Sequence, residues 1–180
     1  SDGPQPLLPI DSPGSELQVH KAAFFFRLER ELEKINAFYL QKESELRTRL
    51  TTLITKKRHL IALANRPVGH NVITRDTPSL VTLLEGFRYF EKDLSKLHQF
   101  IEINATGFRK ILKKWDKRFK SQTKELHLAR QVEVQPCFNR EFMTEMSDIA
   151  SASILQLESL ADGHELPSTP FKNEVALLRG

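Results

Sequence analysis

The stretch that decides the fold is Ser15–Arg66, SELQVHKAAFFFRLERELEKINAFYLQKESELRTRLTTLITKKRHLIALANR, which contains neither glycine nor proline. Those two residues are the strongest helix breakers, so their absence lets one helix run far. Within the stretch, Phe25, Leu28, Leu32, Ile35, Tyr39, Leu46, Leu50, Leu53 and Leu60 recur at three- and four-residue steps. That is the period of one face of an α-helix. Ser15 with Gln18 three residues later has the form of a capping box, which predicts a helix from Glu16 to about Ala64. At 1.5 Å per residue it is roughly 70 Å long.

Working outward, Asn65–Asp76, with Arg66-Pro67-Val68-Gly69, reads as a turn, and Thr77 followed by Pro78 as the cap and first position of a second helix. Leu80, Leu84, Phe87, Leu94, Leu97, Ile101, Phe108, Ile111, Trp115 and Phe119 carry the same rhythm for about 40 residues, with Gly107 a mild interruption. Two such helices joined by a short turn can bury their stripes only by packing antiparallel, with a third element over the seam. Beyond Leu128, Val132, Val134 and Pro136 predict a short extended connector, and Arg140–Ala161 one or two modest helices. Four of the nine prolines fall in the first 13 residues. Residues 1–15 are therefore expected to be a flexible lead-in, 16–161 the helical core, and 162–180, with Pro167 and Pro170, a loosely attached tail. The fold class is all-α: two long antiparallel helices with smaller C-terminal helices packed on them.

The 180 residues are 39% hydrophobic and 28% charged, and 27 Lys and Arg against 23 Asp and Glu give +4. A single cysteine, Cys137, excludes an internal disulfide framework and a multi-thiolate zinc site, and suits a reducing compartment. No apolar run approaches a membrane span of about 20 residues, and SDGPQPLLPIDSPGS has neither a basic nor an apolar leader region. The expectation is an intracellular protein, cytoplasmic or nuclear, with no membrane partner. There is no Gly-rich phosphate loop, no His-Glu-x-x-His and no nucleophile elbow. His20, His59, His70, His98, His127 and His164 never stand three or four apart, as a helical metal site requires. Neither catalytic residues, a metal nor a cofactor is expected, and the chain reads as a non-enzyme. Asn104-Ala105-Thr106 fits a glycosylation sequon, but inside a predicted helix the match is accidental.

One segment departs from the average. Gly107–Lys120, GFRKILKKWDKRFK, holds seven basic residues and one acid, a net +6 that leaves about −2 for the rest of the chain. Lys110, Lys113, Lys114 and Lys117 stand at i, i+3, i+4 and i+7, on one helical face, with Phe108, Ile111, Leu112, Trp115 and Phe119 on the other side. Like charges so placed repel by a few tenths of a kcal/mol per pair, a cost that a polyanion would relieve. A solvated face that keeps an apolar helix soluble is the alternative. Nucleic acid is a third reading, but no exposed aromatics interleave with the lysines and no helix-turn-helix or RNA-binding signature is present.

The same residues carry a resemblance. Asn104-x-Thr106-Gly107-Phe108-x-Lys110-Ile111-x-Lys113-Lys114-x-Asp116-Lys117 resembles the signature of the SPX domain, and Glu31-Leu32-x-Lys34-Ile35-Asn36-x-Phe38-Tyr39 resembles the family's first long core helix. The likeness runs to about Asn139. KAAFFFRLERELEKINAFYLQKESELR, KKWDK and LARQVEVQPCFNRE are most similar to the fungal phosphate-starvation regulators that inhibit a cyclin-dependent kinase. The resemblance implies a sensor of inositol polyphosphates and pyrophosphates in phosphate-starvation signalling, with a cyclin and its kinase as partners. It further implies that Lys114 belongs to the phosphate-binding cluster and that Lys110, Lys113 and Lys117 form the lysine surface around it. Members open with Met-Lys-Phe-Gly and a small helical hairpin bearing a Tyr and further Lys of that pocket, where this chain opens with SDGPQPLLPI.

Overall fold

A computed structural model describes residues 13–66, 72–122, 127–164 and 172–179. Its helices are α1 (Pro13–Ala64), α2 (Pro78–Phe119), α3 (Glu141–Ala161) and α4 (Lys172–Arg179). Among the described residues there is no strand, and the all-α class holds. The expected lead-in up to Ser12, the centre of the first turn at 67–71, and 165–171 of the tail lie outside the described residues.

The chain divides into two compact units, one ending at Phe38 and one beginning at Tyr39, with the boundary inside α1. In the first, Leu28, Leu32 and Ile35 are buried in the predicted rhythm, while Phe24 and Phe25 meet edge to face at 5.0 Å. Arg30 lies 5.8 Å from the ring of the exposed Phe26. The helix starts at Pro13, three residues before the expected Glu16, so Ser15 sits inside the first turn and the capping-box reading fails.

In the second unit, α1 from Tyr39 on, α2 and α3 form a bundle whose directions follow from their cross-links. Arg49 Nη1 donates to Asp93 Oδ2 at 2.7 Å, and a Cβ added to Gly86 would stand 2.8 Å from Leu53 Cδ2. As the α1 number rises the α2 number falls, so the two run antiparallel. Arg88 pairs with Glu158 at 3.1 Å, Ser151 Oγ donates to Glu91 at 3.3 Å, and Arg140 pairs with Glu102, which sets α3 antiparallel to α2. The third element expected over the seam is α3, a single helix. Leu50, Ile54, Phe87, Phe90, Leu112, Met146 and Leu157 form the driest part of the core.

Three local expectations change. Leu53 is only half-buried, and Ile54, one position on, is the fully buried residue. Ile111 is 47% exposed, at the edge of the α2 stripe rather than within it. The connector expected to be extended is instead a π-helical turn, Leu128–Val132, followed by a 3-10 turn, Pro136–Phe138, that buries Cys137 and sets Phe138 edge-on to Phe108 at 6.3 Å. Val132, Val134 and Pro136 suggested an extended connector, yet among the described residues there is no strand edge to take its backbone hydrogen bonds, and the chain satisfies them locally, Gln135 donating to the Val132 carbonyl and Phe138 to that of Gln135. Within the tail, α4 docks by burying Glu174 and Leu177.

Candidate functional site

The site is built on the last three turns of α2. Ala105, Phe108 and Leu112 face the core and are buried, which fixes the rotation of this part of the helix. At about 100° per residue, Lys110, Lys113, Lys114 and Lys117 then fall on the opposite side, and all four are exposed. Gly107 offers no obstacle: a Cβ there would meet nothing within 4 Å, so it breaks neither the helix nor the packing. Asn104 of the accidental sequon is occupied structurally, its Nδ2 donating to the Phe100 carbonyl at 2.8 Å.

The one acid in the basic stretch is engaged at the end of the helix. Asp116 Oδ1 accepts a 2.6 Å hydrogen bond from Ser121 Oγ, and the Asp116 carbonyl accepts the backbone N–H groups of Lys120 and Ser121. Lys120 reaches this arrangement in the left-handed region at φ 49°, and the helix ends there. Among the described residues none of Lys110, Lys113, Lys114 and Lys117 forms an ion pair with a carboxylate. Lys117 and Arg118 occupy the last turn, where cations complement the partial negative charge of the helix end. That effect fades within one turn, so it does not account for Lys110 or Lys113.

The other side of this helix end is aromatic. Trp115 and Phe119 lie 4.1 Å apart between centroids, and the Arg118 guanidinium sits 5.3 Å from the Phe119 ring. A separate cleft of about 330 Å³ opens between α2 and α3, lined by Glu91, Ser95, His98, Arg140 and Asp148 among others. It mixes both signs of charge and does not include the four lysines.

The arrangement supplies four mobile ammonium groups, each a point charge, on a rigid and fully helical backbone. Such a surface suits an anion with several separated negative groups better than one demanding a fixed bidentate fork. Among the described residues no group of three or more His, Cys, Asp and Glu could hold a metal ion, and no helix is long and apolar enough to cross a membrane. His70 lies outside the described residues. Burial pushes the Cys137 thiol up to about 11, the opposite of an activated nucleophile. Tyr39 is raised as well, by burial first and then by its hydrogen bond to Glu43.

Sequence reasoning missed one polar cluster. Lys57, 1% exposed, donates to Ser153 Oγ at 3.0 Å and Gln156 Oε1 at 2.7 Å and pairs with Glu174, while Arg58 reaches Glu174 at 3.1 Å. The signal was available: Lys57 falls on the buried rhythm Leu50, Ile54, Lys57, Leu60, where an apolar residue is the norm.

An all-helical domain with a free lysine surface on its second long helix is thus defined by fold and site together. Residues 8–77 and 82–129 match the family model of the SPX domain, and the chain belongs to that family. It is 52% identical over 155 residues, 86% of its length, to the ankyrin repeat protein nuc-2 of Neurospora crassa, and 40% identical over 144 residues, 80% of its length, to the phosphate system positive regulatory protein PHO81 of Saccharomyces cerevisiae. An SPX domain-containing membrane protein of Arabidopsis thaliana is 41% identical over 92 residues, 51% of this chain. The chain spans only 14% and 12% of the length of the two fungal relatives and 12% of the plant one. No solved structure matches it.

Proposed function

We propose that this chain is a non-catalytic sensing domain whose lysine face on α2 binds inositol polyphosphates or pyrophosphates and relays phosphate status to a cyclin and cyclin-dependent kinase complex. The observation that carries the reading is the set of four exposed lysines, without a carboxylate partner among the described residues, opposite the buried stripe of α2. Similarity to a protein named as a phosphate system regulator supports the signalling context.

Magnitudes favour a highly charged ligand. An exposed ion pair is worth about 0.2–1 kcal/mol, whereas micromolar binding needs about 8 kcal/mol. One phosphate on this surface therefore falls far short, and a ring carrying many phosphates engages several lysines at once with a single loss of translational freedom. Lys110, Lys113 and Lys114 repel one another in the free domain, and the ligand relieves that repulsion on binding.

Isothermal titration of inositol hexakisphosphate at physiological salt tests the reading. The parent is expected to bind, and Lys113→Ala with Lys114→Ala to weaken binding by about tenfold or more, the loss of roughly 1.4 kcal/mol. Equal affinity in the two proteins would sink the assignment.

A further inference from the structure

Helix α4 meets the rest of the bundle through a carboxylate. Glu174 is 2% exposed, and its two oxygens go to two neighbouring cations of α1, Oε1 to Lys57 Nζ and Oε2 to Arg58 Nη2. Ser153 and Gln156 of α3 accept the remaining hydrogen bonds of Lys57. Leu177, three residues after Glu174, is also buried.

The two halves of this contact are unequal. The receiving half stands on α1 from Tyr39 on, which buries Leu46, Leu50, Ile54 and Leu60, and on α3, of 21 residues, which buries side chains from Met143 to Leu160. The occupant is a helix of eight residues, shorter than the roughly 12–15 at which an isolated helix becomes even marginal, so α4 owes its form to the site. The receiving half also holds a donor that Glu174 leaves unused: Arg58 Nε is buried and has no hydrogen-bond partner among the described residues. Because Lys57 is buried and charged, the site demands a carboxylate whichever helix brings it.

We infer that Lys57, Arg58, Ser153 and Gln156 mark a docking site for a short helix carrying Glu-x-x-Leu, filled in cis by α4 and able to take a helix of that pattern from a partner protein when α4 leaves. The site stands beside the C-terminal end of α1, while the lysine face lies at the C-terminal end of the antiparallel α2. Occupation of one therefore does not require the other, and the proposal fails or stands independently of inositol phosphate binding.

Fluorescence anisotropy with a labelled peptide of residues 171–180, FKNEVALLRG, tests this on full-length chains. The peptide is expected to bind the Glu174→Gln chain at least tenfold more tightly than the parent, whose own α4 competes. A peptide with glutamine in place of its glutamate is expected to bind the Glu174→Gln chain at least tenfold more weakly. Equal binding to the two chains, or indifference to the peptide's glutamate, overturns the proposal. Hydrogen exchange on the unmodified chain is an independent check that needs no variant. Amides of 172–179 should exchange at least a hundredfold faster than those around Lys57 and Ser153, and equal protection would show that α4 does not leave.

Discussion

Lys57 of α1 and Glu174 of α4 form an ion pair across 117 positions of sequence, with side-chain exposures of 1% and 3%. Burial pushes the Lys57 pKa below its ordinary value, and Glu174 opposes that shift. Removing one partner strands the other in a dry site, at a cost of about 3 kcal/mol, whereas replacing both with apolar groups of similar volume is close to neutral. Glu174→Leu should lower urea stability by about that amount and Lys57→Met by less, because Arg58 still pairs with Glu174, and the double variant should return to within about 1 kcal/mol of the parent. Additive losses in the cycle would show that the two do not act as a pair.

Gly86 fixes how closely α2 approaches α1. An added Cβ would stand 2.8 Å from Leu53 Cδ2, the end of a side chain that can rotate away. In Gly86→Ala the clash offsets a helix-propensity gain of about 1 kcal/mol, so the expected change in stability is under about 1 kcal/mol in either direction. Gly86→Leu cannot be absorbed this way and should cost about 1–3 kcal/mol by overpacking. Adding Leu53→Ala to Gly86→Leu should recover part of that loss in thermal unfolding. No recovery would place the strain elsewhere.

The buried thiol of Cys137 gives a pH signature. Its folded pKa is about 11 against an ordinary 9.0, so between those values the folded chain holds a proton that the unfolded chain has lost. This stabilisation is complete below pH 9 and is lost as pH rises toward 11, amounting to roughly 2 kcal/mol by pH 10.5. Lys57 works in the opposite sense just below its ordinary pKa, so the comparison must be between variants. Relative to Cys137→Ala, the parent should lose that much stability between pH 8 and pH 10.5. Parallel curves would contradict it.

The lysine face should carry its cost in the free domain. Lys110→Gln and Lys113→Gln relieve like-charge repulsion and should leave melting temperature unchanged or slightly higher, by a few tenths of a kcal/mol. Lys117→Gln and Arg118→Gln remove cations from the last turn and should lower it by about 0.3–1 kcal/mol. If all four substitutions destabilise alike, the upper lysines have a structural role that the geometry does not reveal.

Much of this was legible in the sequence because long helices repeat their signal many times. α1 ends at Ala64 ahead of Pro67 and α2 begins at Pro78, both as proline predicts, α2 runs the expected length of about 40 residues, and the lysine face was visible because a helix converts spacing directly into direction. What was not legible depends on partners distant in the chain. Lys57 stands on the buried rhythm of α1, but nothing near it in the chain names the carboxylate that Glu174 brings to it, and α4 is too short to show a periodicity of its own. Ile54 replaces Leu53 in the core because the close approach at Gly86 sets the rotation of α1. The turns at 128–138 had apolar alternation but no strand to pair with, and only the tertiary structure decides that.

On the proposed function, position on α2, rather than net charge, makes the anion site. The most direct measurement compares inositol hexakisphosphate affinity, at physiological salt, between two quadruple variants of equal charge. One replaces Lys110, Lys113, Lys114 and Lys117 with glutamine, and the other replaces the exposed Lys21, Lys34, Lys56 and Lys92. The first is expected to lose at least a hundredfold in affinity, about 2.7 kcal/mol, while the second stays within about threefold of the parent. Equal losses in the two proteins would contradict it.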